Sequence, residues 1–237
     1  MTEITEKEPK QALRPRPRRR RPVRTGRPPA NLAGEVEERI LDAAATVFLE
    51  RGFEGASVDE IADVAHAGKP TIYARFSGKD ALFVAVIERL VRQHTGSLQS
   101  VAALGSTLQS RLEHLAEALL RNVLAPDSVG LCRVAVAEAR RFPKLASSVH
   151  RMARERGIEG VARVLGELTR SDGTPPLPAF TADRLPATTR RFIDMILLPM
   201  MLRALFGEEL AALEGDIGPH VSGTVAFFLA ACRHGGE

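Results

Sequence analysis

Apolar residues recur at helical spacing along most of the chain from residue 35 onward. The first stretch predicts a helix over 35–51, because five apolar residues fall on one face: Val36, Ile40, Ala44, Val47 and Phe48. Gly52 follows and is typical of a helix end. Further stretches predict helices over 58–65, 69–76, 80–101, 106–124, 128–141, 144–170, 187–206 and 217–233. No stretch shows a convincing strand pattern, so the predicted fold class is all-α.

Two short predicted helices stand close together between residues 57 and 76. Ser57 and Glu60 have capping-box spacing, in which the hydroxyl caps N–H groups and the carboxylate reaches back. A three-residue turn ending in Gly68 separates the helices, which predicts a helix-turn-helix. The second helix of such a pair can enter a DNA major groove. Side chains suited to phosphates and base edges are Lys69, Thr71, Tyr73 and Arg75, with Lys79 beyond. A plain helical hairpin with a solvated face is the alternative.

Positive charge is concentrated in the first thirty residues. They carry ten Lys and Arg against three Glu, a net +7, whereas the whole chain has +4, which leaves −3 for the remainder. Because proline is frequent and apolar periodicity is absent, residues 1–33 are predicted to be a disordered basic arm with affinity for polyanions. Arg27, flanked by Gly and Pro, resembles the core of an AT-hook that enters an A·T-rich minor groove. A solubilising tail with nonspecific nucleic-acid affinity is the alternative.

Several classes of protein are not expected from the sequence. Uncharged stretches fall short of the roughly 18–20 residues of a membrane span, and no secretory signal is recognised at the N-terminus. Two cysteines, Cys132 and Cys232, are too few for a disulfide scaffold, and the six histidines lack metal-ligand spacing. There is no phosphate loop and no nucleophile elbow. We therefore expect no catalytic site, metal or cofactor, no membrane partner, and a cytoplasmic location.

The region from residue 39 to residue 82 resembles the DNA-binding domain of the TetR family. The matching segments are Arg39–Ala44, Phe48–Phe53, Ser57–Ala62, Lys69–Tyr73, Phe76 and Lys79–Leu82. The resemblance implies that helix 69–76 is the recognition helix, with Thr71 at bases or phosphate, Tyr73 at the backbone and Lys79 at phosphate. Ser57, Lys69 and Arg75 complete the predicted contacts. His66, Gly68 and Pro70 depart from the family pattern and affect the pose of this helix.

The C-terminal half is similar to the C-terminal domain of an AcrR/AefR-like subgroup that includes regulators of multidrug efflux. The similarity rests on Gly130–Pro143 and Phe192–Phe206. The predicted organisation is an arm over 1–33, a helix-turn-helix domain over 34–80 and a helical ligand-binding and dimerisation domain over 81–237. Residues predicted to line a cavity for a small apolar or amphipathic ligand are Phe83, Ile87, Leu119, Leu131, Met152 and Val161. Core packing is the alternative for each of them. Apolar helices 187–206 and 217–233 predict a homodimer, and the core of a monomer is the alternative.

The leading hypothesis is a bacterial repressor that binds a palindromic operator in double-stranded DNA as a dimer and leaves it when a small molecule binds. A second hypothesis is a nonspecific architectural DNA-binding protein in which the arginine arm dominates. A third is an enzyme or a transport-associated ligand-binding protein that has lost DNA binding. The polar side chains of helix 69–76 argue against the third.

Overall fold

The computed structural model describes residues 30–171 and 177–233. Within these ranges every regular element is helical, which confirms the all-α prediction. The elements are α1 (Ala30–Gly55), α2 (Val58–Val64), α3 (Lys69–Tyr73), α4 (Lys79–Gly96), α5 (Leu98–Ala102), α6 (Leu108–Val123), α7 (Pro126–Ala137), α8 (Pro143–Ser171), a 3₁₀ helix (Pro178–Phe180), α9 (Leu185–Leu205) and α10 (Leu210–Arg233). Most of the predicted arm, Arg27 included, lies outside the described residues. Residues 30–33, assigned to the arm, instead form the first turn of α1.

Two predicted helices have different bounds near the helix-turn-helix. α3 ends at Tyr73 and not at residue 76, since the Arg75 N–H turns back to the Ile72 carbonyl, three residues earlier. The helix predicted over 80–101 is two helices, which separate at Ser97. Gly96 weakens the helix before this point. The break lets Leu98 and Ala102 become fully buried.

α10 is longer than predicted. It begins at Leu210, whereas the sequence pattern indicated residue 217. Gly215, Gly218 and Pro219 obscure its first turns, because glycine and proline normally interrupt helices. The helix continues through them because apolar side chains on one stripe are almost completely buried; these are Leu213, Ile217 and Val221. Tertiary packing therefore outweighs local propensity here.

The buried apolar side chains form two clusters. The first cluster joins α1, α2, α3 and the first half of α4, and it also takes in residues of α7 and α8, including Leu131 and Val149. The second cluster joins α5, α6, the later part of α8, α9 and α10. The predicted domain boundary at 80/81 falls in the first turn of α4, and Leu82 and Phe83 beyond it pack in the first cluster. The two halves thus share α4, α7 and α8, and the boundary stays a prediction.

α4 and α8 approach each other closely at Gly160. A Cβ atom at this position would lie 2.7 Å from Cγ2 and 2.8 Å from Cβ of Thr95. Both distances are shorter than van der Waals contact, and Thr95 is held by its hydroxyl, which donates to the Val91 carbonyl at 3.0 Å. Glycine at 160 therefore sets how near the two helices can lie.

We expect Gly160→Ala to destabilise the fold relative to Gly157→Ala. A Cβ atom at Gly157, one turn earlier on α8, meets nothing within 4 Å. Both substitutions bring the same gain in helix propensity, so Gly157→Ala should raise the free energy of unfolding by roughly 0.5–1 kcal/mol. The free energy of unfolding of Gly160→Ala should be lower than that of Gly157→Ala by about 1–3 kcal/mol, the usual cost of overpacking. Urea unfolding measures both, and equal values for the two variants would contradict the close contact.

Candidate nucleic-acid interface

Phe53 holds the end of α1 against α4 and the turn between α7 and α8. Its side chain is 1% exposed. Its ring lies 5.4 Å from that of Phe83 and 5.3 Å from that of Phe142, edge-on in both pairs. The chain reaches this position through Gly52, whose φ of 69° is a left-handed conformation that glycine adopts at little steric cost. The helical conformation of α1 is thus interrupted at Gly52, where the sequence predicted the helix end, and a last turn continues to Gly55.

α2 starts at a capped N-terminus. Ser57 Oγ accepts a hydrogen bond from the Glu60 N–H at 3.1 Å, so half of the predicted capping box is present. The other half is wrong, because the Glu60 carboxylate accepts from Arg51 Nε at 3.2 Å. A charged guanidinium is a stronger donor than a backbone N–H, and α1 places it within reach. Ser57 itself is exposed, immediately before the first residue of α2.

The turn between α2 and α3 takes its unusual backbone conformation at His66. Its φ is 47°, whereas Gly68 has φ −67°. The left-handed region is uncommon for residues with a side chain, although histidine is among the more tolerant ones. The turn is closed by the Ala67 N–H, which donates to the Ala62 carbonyl at 3.0 Å. The departure of His66 from the family pattern is therefore accommodated by the backbone.

The four side chains predicted to contact DNA from α3 and the residues just after it differ in their hydrogen bonds and in their exposure. Lys69 Nζ lies 2.7 Å from Asp59 Oδ2 on α2, and this hydrogen bond raises the lysine pKa. Arg75, two residues beyond the end of α3, donates to the Thr71 carbonyl at 3.1 Å. Tyr73 is 54% exposed, an unusual exposure for so large a ring, while Thr71 is half-buried. Lys69, Thr71 and Tyr73 therefore share the short helix α3, with Tyr73 as its prominent exposed group, and Arg75 lies two residues beyond its end.

Lys79 performs a structural task that the sequence did not indicate. Its Nζ donates to the carbonyl oxygens of Glu54 and Ala56, each at 3.0 Å, and lies 4.7 Å from the centroid of the Phe53 ring. The carbonyls belong to the segment that leads from α1 into α2. A lysine has three N–H donors, so these bonds leave one for a phosphate. The predicted phosphate contact stays a prediction.

The helix pair itself is slightly acidic. Residues 57–80 contain three cations and four carboxylates, a net charge of −1. Asp59 and Glu60 are paired with Lys69 and Arg51, as described above. Any attraction to phosphates over a distance must therefore come from cations outside this segment.

The structure divides the six predicted ligand-lining residues between the two apolar clusters. Phe83, Ile87 and Leu131 are buried in the first cluster, and Met152 packs against it. Leu119 and Val161 belong to the second. All of them except Met152 are at most 7% exposed. The structure thus does not bring the six together around one cavity; they pack as core residues in two places.

A partly buried polar group that the sequence analysis missed lies between α4, α6 and α7. Ser128 Oγ lies 3.4 Å from His94 Nε2 and donates to the Asn122 carbonyl at 2.9 Å. The Asn122 side-chain amide donates to the His94 carbonyl at 3.1 Å. Burial lowers the pKa of His94, which favours the neutral ring. These residues lie far apart in sequence, so no motif spacing could have identified them.

Apolar side chains are exposed along α9 and α10. Leu198 and Leu202 are each 51% exposed, Phe206 is 89% exposed and Phe227 is 69% exposed. Exposed small residues accompany them on α10: Gly218, Ser222, Gly223, Ala226 and Ala230. Exposed apolar and small residues on two neighbouring helices are suited to close packing against another helix.

Metal clusters and membrane spans are absent from the described residues. No three His, Cys, Asp or Glu side chains in 30–171 and 177–233 are placed to hold a metal ion. Across the same ranges, no helix has the length and hydropathy that a membrane span requires. Burial raises the pKa of both cysteine thiols, that of Cys232 to about 11, which disfavours their reactive form.

Comparisons with known families give two matches along the chain. A family model described as bacterial regulatory proteins, tetR family, matches residues 40–86. A second, described as AefR-like transcriptional repressor, C-terminal domain, matches residues 110–233, just over half of the chain. The first match contains the helix pair and the start of α4, and the second extends from α6 to the end of α10.

Individual proteins resemble the chain over different lengths. The HTH-type transcriptional activator FasR of Mycolicibacterium smegmatis is 34% identical over 96 residues, which is 40% of this chain and 43% of that protein. The chain therefore matches less than half the length of this relative. A TetR-family transcriptional regulator of known structure from Mesorhizobium loti has 27% identity and a TM-score of 0.67, covering 84% of this chain and 97% of its own. The flavonoid-responsive regulator FrrA has 27% identity and a TM-score of 0.58 over the same shares.

We expect Lys79→Ala to lower the free energy of unfolding by about 1–3 kcal/mol, because two carbonyl oxygens lose a charged donor. Arg92→Ala is the control, since Arg92 is exposed and its side chain has no partner among the described residues; its effect should stay within about 0.5 kcal/mol. Chemical unfolding of both variants measures the difference. A Lys79→Ala variant as stable as wild type would show that the ammonium does not hold the α1–α2 segment.

Proposed function

Because this chain is a member of the TetR family of bacterial regulatory proteins, we propose that it represses transcription by binding a palindromic operator and leaves the DNA when a small molecule binds. The observation that carries the proposal is α3, a short helix braced by α2 with Tyr73 exposed and Lys69, Thr71 and Arg75 beside it. Ser57 at the start of α2 and Lys79 at the start of α4 flank this helix and are the proposed phosphate contacts. The site of action is the bacterial cytoplasm, at the nucleoid.

The choice of repression over activation is also a proposal. The C-terminal half matches the model of an AefR-like repressor domain, which favours repression. FasR, however, is an activator by name, so both directions occur among similar proteins. A reporter gene placed behind the operator distinguishes them, since deletion of the regulator should raise expression if it represses and lower it if it activates.

The ligand is proposed to be a small apolar or amphipathic molecule. Support comes from the apolar helices of the C-terminal half and from similarity to a flavonoid-responsive regulator. The polar group of His94, Asn122 and Ser128 offers hydrogen bonds within a mostly apolar setting, the composition expected of a ligand site. These three residues are our proposed polar contacts to the ligand.

Selection of genomic fragments with the purified protein, followed by footprinting, tests the proposed function. A specific regulator should protect one inverted repeat with half-sites about one helical turn apart or further. Uniform protection along the DNA, lost when residues 1–30 are removed, would instead support an architectural protein dominated by the arginine arm. Tyr73→Ala should weaken binding to the selected site.

We expect Asp59→Asn to strengthen operator binding. The substitution keeps the shape of the side chain but releases Lys69 and removes one negative charge next to the proposed recognition helix. The slope of log affinity against log salt should steepen by about 0.9 for each phosphate that the freed lysine neutralises. Glu155→Gln, an exposed carboxylate on α8, is the control and should change nothing. Unchanged affinity and slope for Asp59→Asn would place Lys69 away from the DNA.

We expect Leu198→Glu to convert a dimer to a monomer. Leu198 is 51% exposed within one chain, so the charge disturbs the chain's own core little but would be buried between subunits. Leu104→Glu is the matched control, because Leu104 is 70% exposed and lies outside α9 and α10. Sedimentation at micromolar concentration should give a dimer for wild type and the control. A monomeric wild type would refute the proposed homodimer.

A further inference from the structure

The turn between α7 and α8 carries a group of cations that the proposed function does not use. Residues 138–144 hold Arg140, Arg141 and Lys144 against a single carboxylate, Glu138, a net charge of +2. All three cations are exposed. Arg140 and Lys144 have no side-chain hydrogen bond or ion pair among the described residues, whereas Arg141 is paired with Glu54. Two positive charges are therefore available to a partner.

The turn is fixed against the helix-turn-helix. Arg141 forms its ion pair with Glu54 at the end of α1, and the Phe142 ring lies 5.3 Å from that of Phe53. Glu54 is also the residue whose carbonyl accepts from Lys79, and it precedes Ser57 by only three positions. The turn thus lies next to Glu54, which is close in sequence to Ser57 and hydrogen-bonded to Lys79. Ser57 and Lys79 are the two proposed phosphate contacts.

Electrostatics favour a nucleic-acid partner for this turn. The helix pair is net acidic over residues 57–80, so its own charge does not attract phosphates. The ion pair with Arg141 neutralises Glu54, the carboxylate that would otherwise repel DNA at this position. Arginine and lysine side chains reach several ångströms beyond the backbone and contact phosphate oxygens without reading sequence.

We propose that Arg140 and Lys144 form a second DNA-binding element, which contacts the phosphate backbone outside the half-site read by α3. The inference rests on the proposed function, because it requires a specific operator. It assigns a direct DNA contact to the C-terminal half of the chain. The added contacts supply affinity without sequence preference, so they raise specific and nonspecific binding together.

The experiment compares the double variant Arg140→Ala/Lys144→Ala with a control that removes two other exposed cations, Arg92→Ala/Arg163→Ala. Arg92 is about 20 Å along α4 from Lys79, and Arg163 is about 28 Å along α8 from Lys144, at 1.5 Å per residue. Each protein is titrated, over a range of salt, with the selected operator trimmed to its half-sites and with the same operator extended by about ten base pairs at each end. The difference between the wild-type affinities for the two duplexes gives the contribution of the added base pairs.

On the extended duplex, the double variant should bind at least tenfold more weakly than wild type. Its salt slope should be shallower by about 0.9 for each lost phosphate contact. On the trimmed duplex, the double variant and wild type should have the same affinity. The control variant should have wild-type affinity on both duplexes. Arg140→Lys/Lys144→Arg should restore the slope, because only the charges are needed. The inference is overturned if the double variant equals the control on the extended duplex while wild type binds specifically. Wild type without any specific site would refute the proposed function as well.

Discussion

The ring of Phe53 is enclosed by three other aromatic rings and one ammonium group that come from different parts of the chain. Phe48 lies on its own helix, Phe83 on α4 and Phe142 in the α7–α8 turn, while Lys79 lies over the ring face. A buried phenylalanine of this kind typically contributes about 3–5 kcal/mol to stability, a large part of what a small domain has in total. Its burial also fixes where α4 begins. Because α3 ends only a few residues before α4, the position of the proposed recognition helix follows from the same packing.

Charges around the helix pair are arranged so that most of them are already paired within the protein. Asp59 holds Lys69, Arg51 holds Glu60, and Arg141 holds Glu54. Exposed pairs of this type contribute little to stability, commonly below about 1 kcal/mol. Their effect on a polyanion is larger, because each pair cancels an attraction or a repulsion that phosphates would otherwise feel. Under the proposed function, affinity for DNA would therefore be distributed between the exposed polar groups of α3 and cations outside the helix pair.

The sequence was sufficient to predict the helical class, the helix pair and the break in the first helix at Gly52, because these depend on local periodicity and on glycine. It failed where tertiary contacts decide. The partner of Glu60 is Arg51, which no short-range pattern indicates, and Pro219 lies inside a helix that buried neighbours maintain. The residues predicted to line a cavity are ambiguous for a similar reason. An apolar residue on a helix has the same pattern in a core and in a pocket, and Phe83 and Val161 belong to two separate cores.

α4 connects the residues proposed to contact the ligand with the residues proposed to contact DNA. Thr95, which touches Gly160, is the neighbour of His94 in the polar group proposed for ligand contact. At the other end of α4, Lys79 holds the segment that leads into α2. Rigid secondary elements and packed side chains can carry energetic coupling between two sites. Under the proposed function, a ligand at His94 that displaced α4 would therefore also act on the segment held by Lys79 at the other end of the same helix.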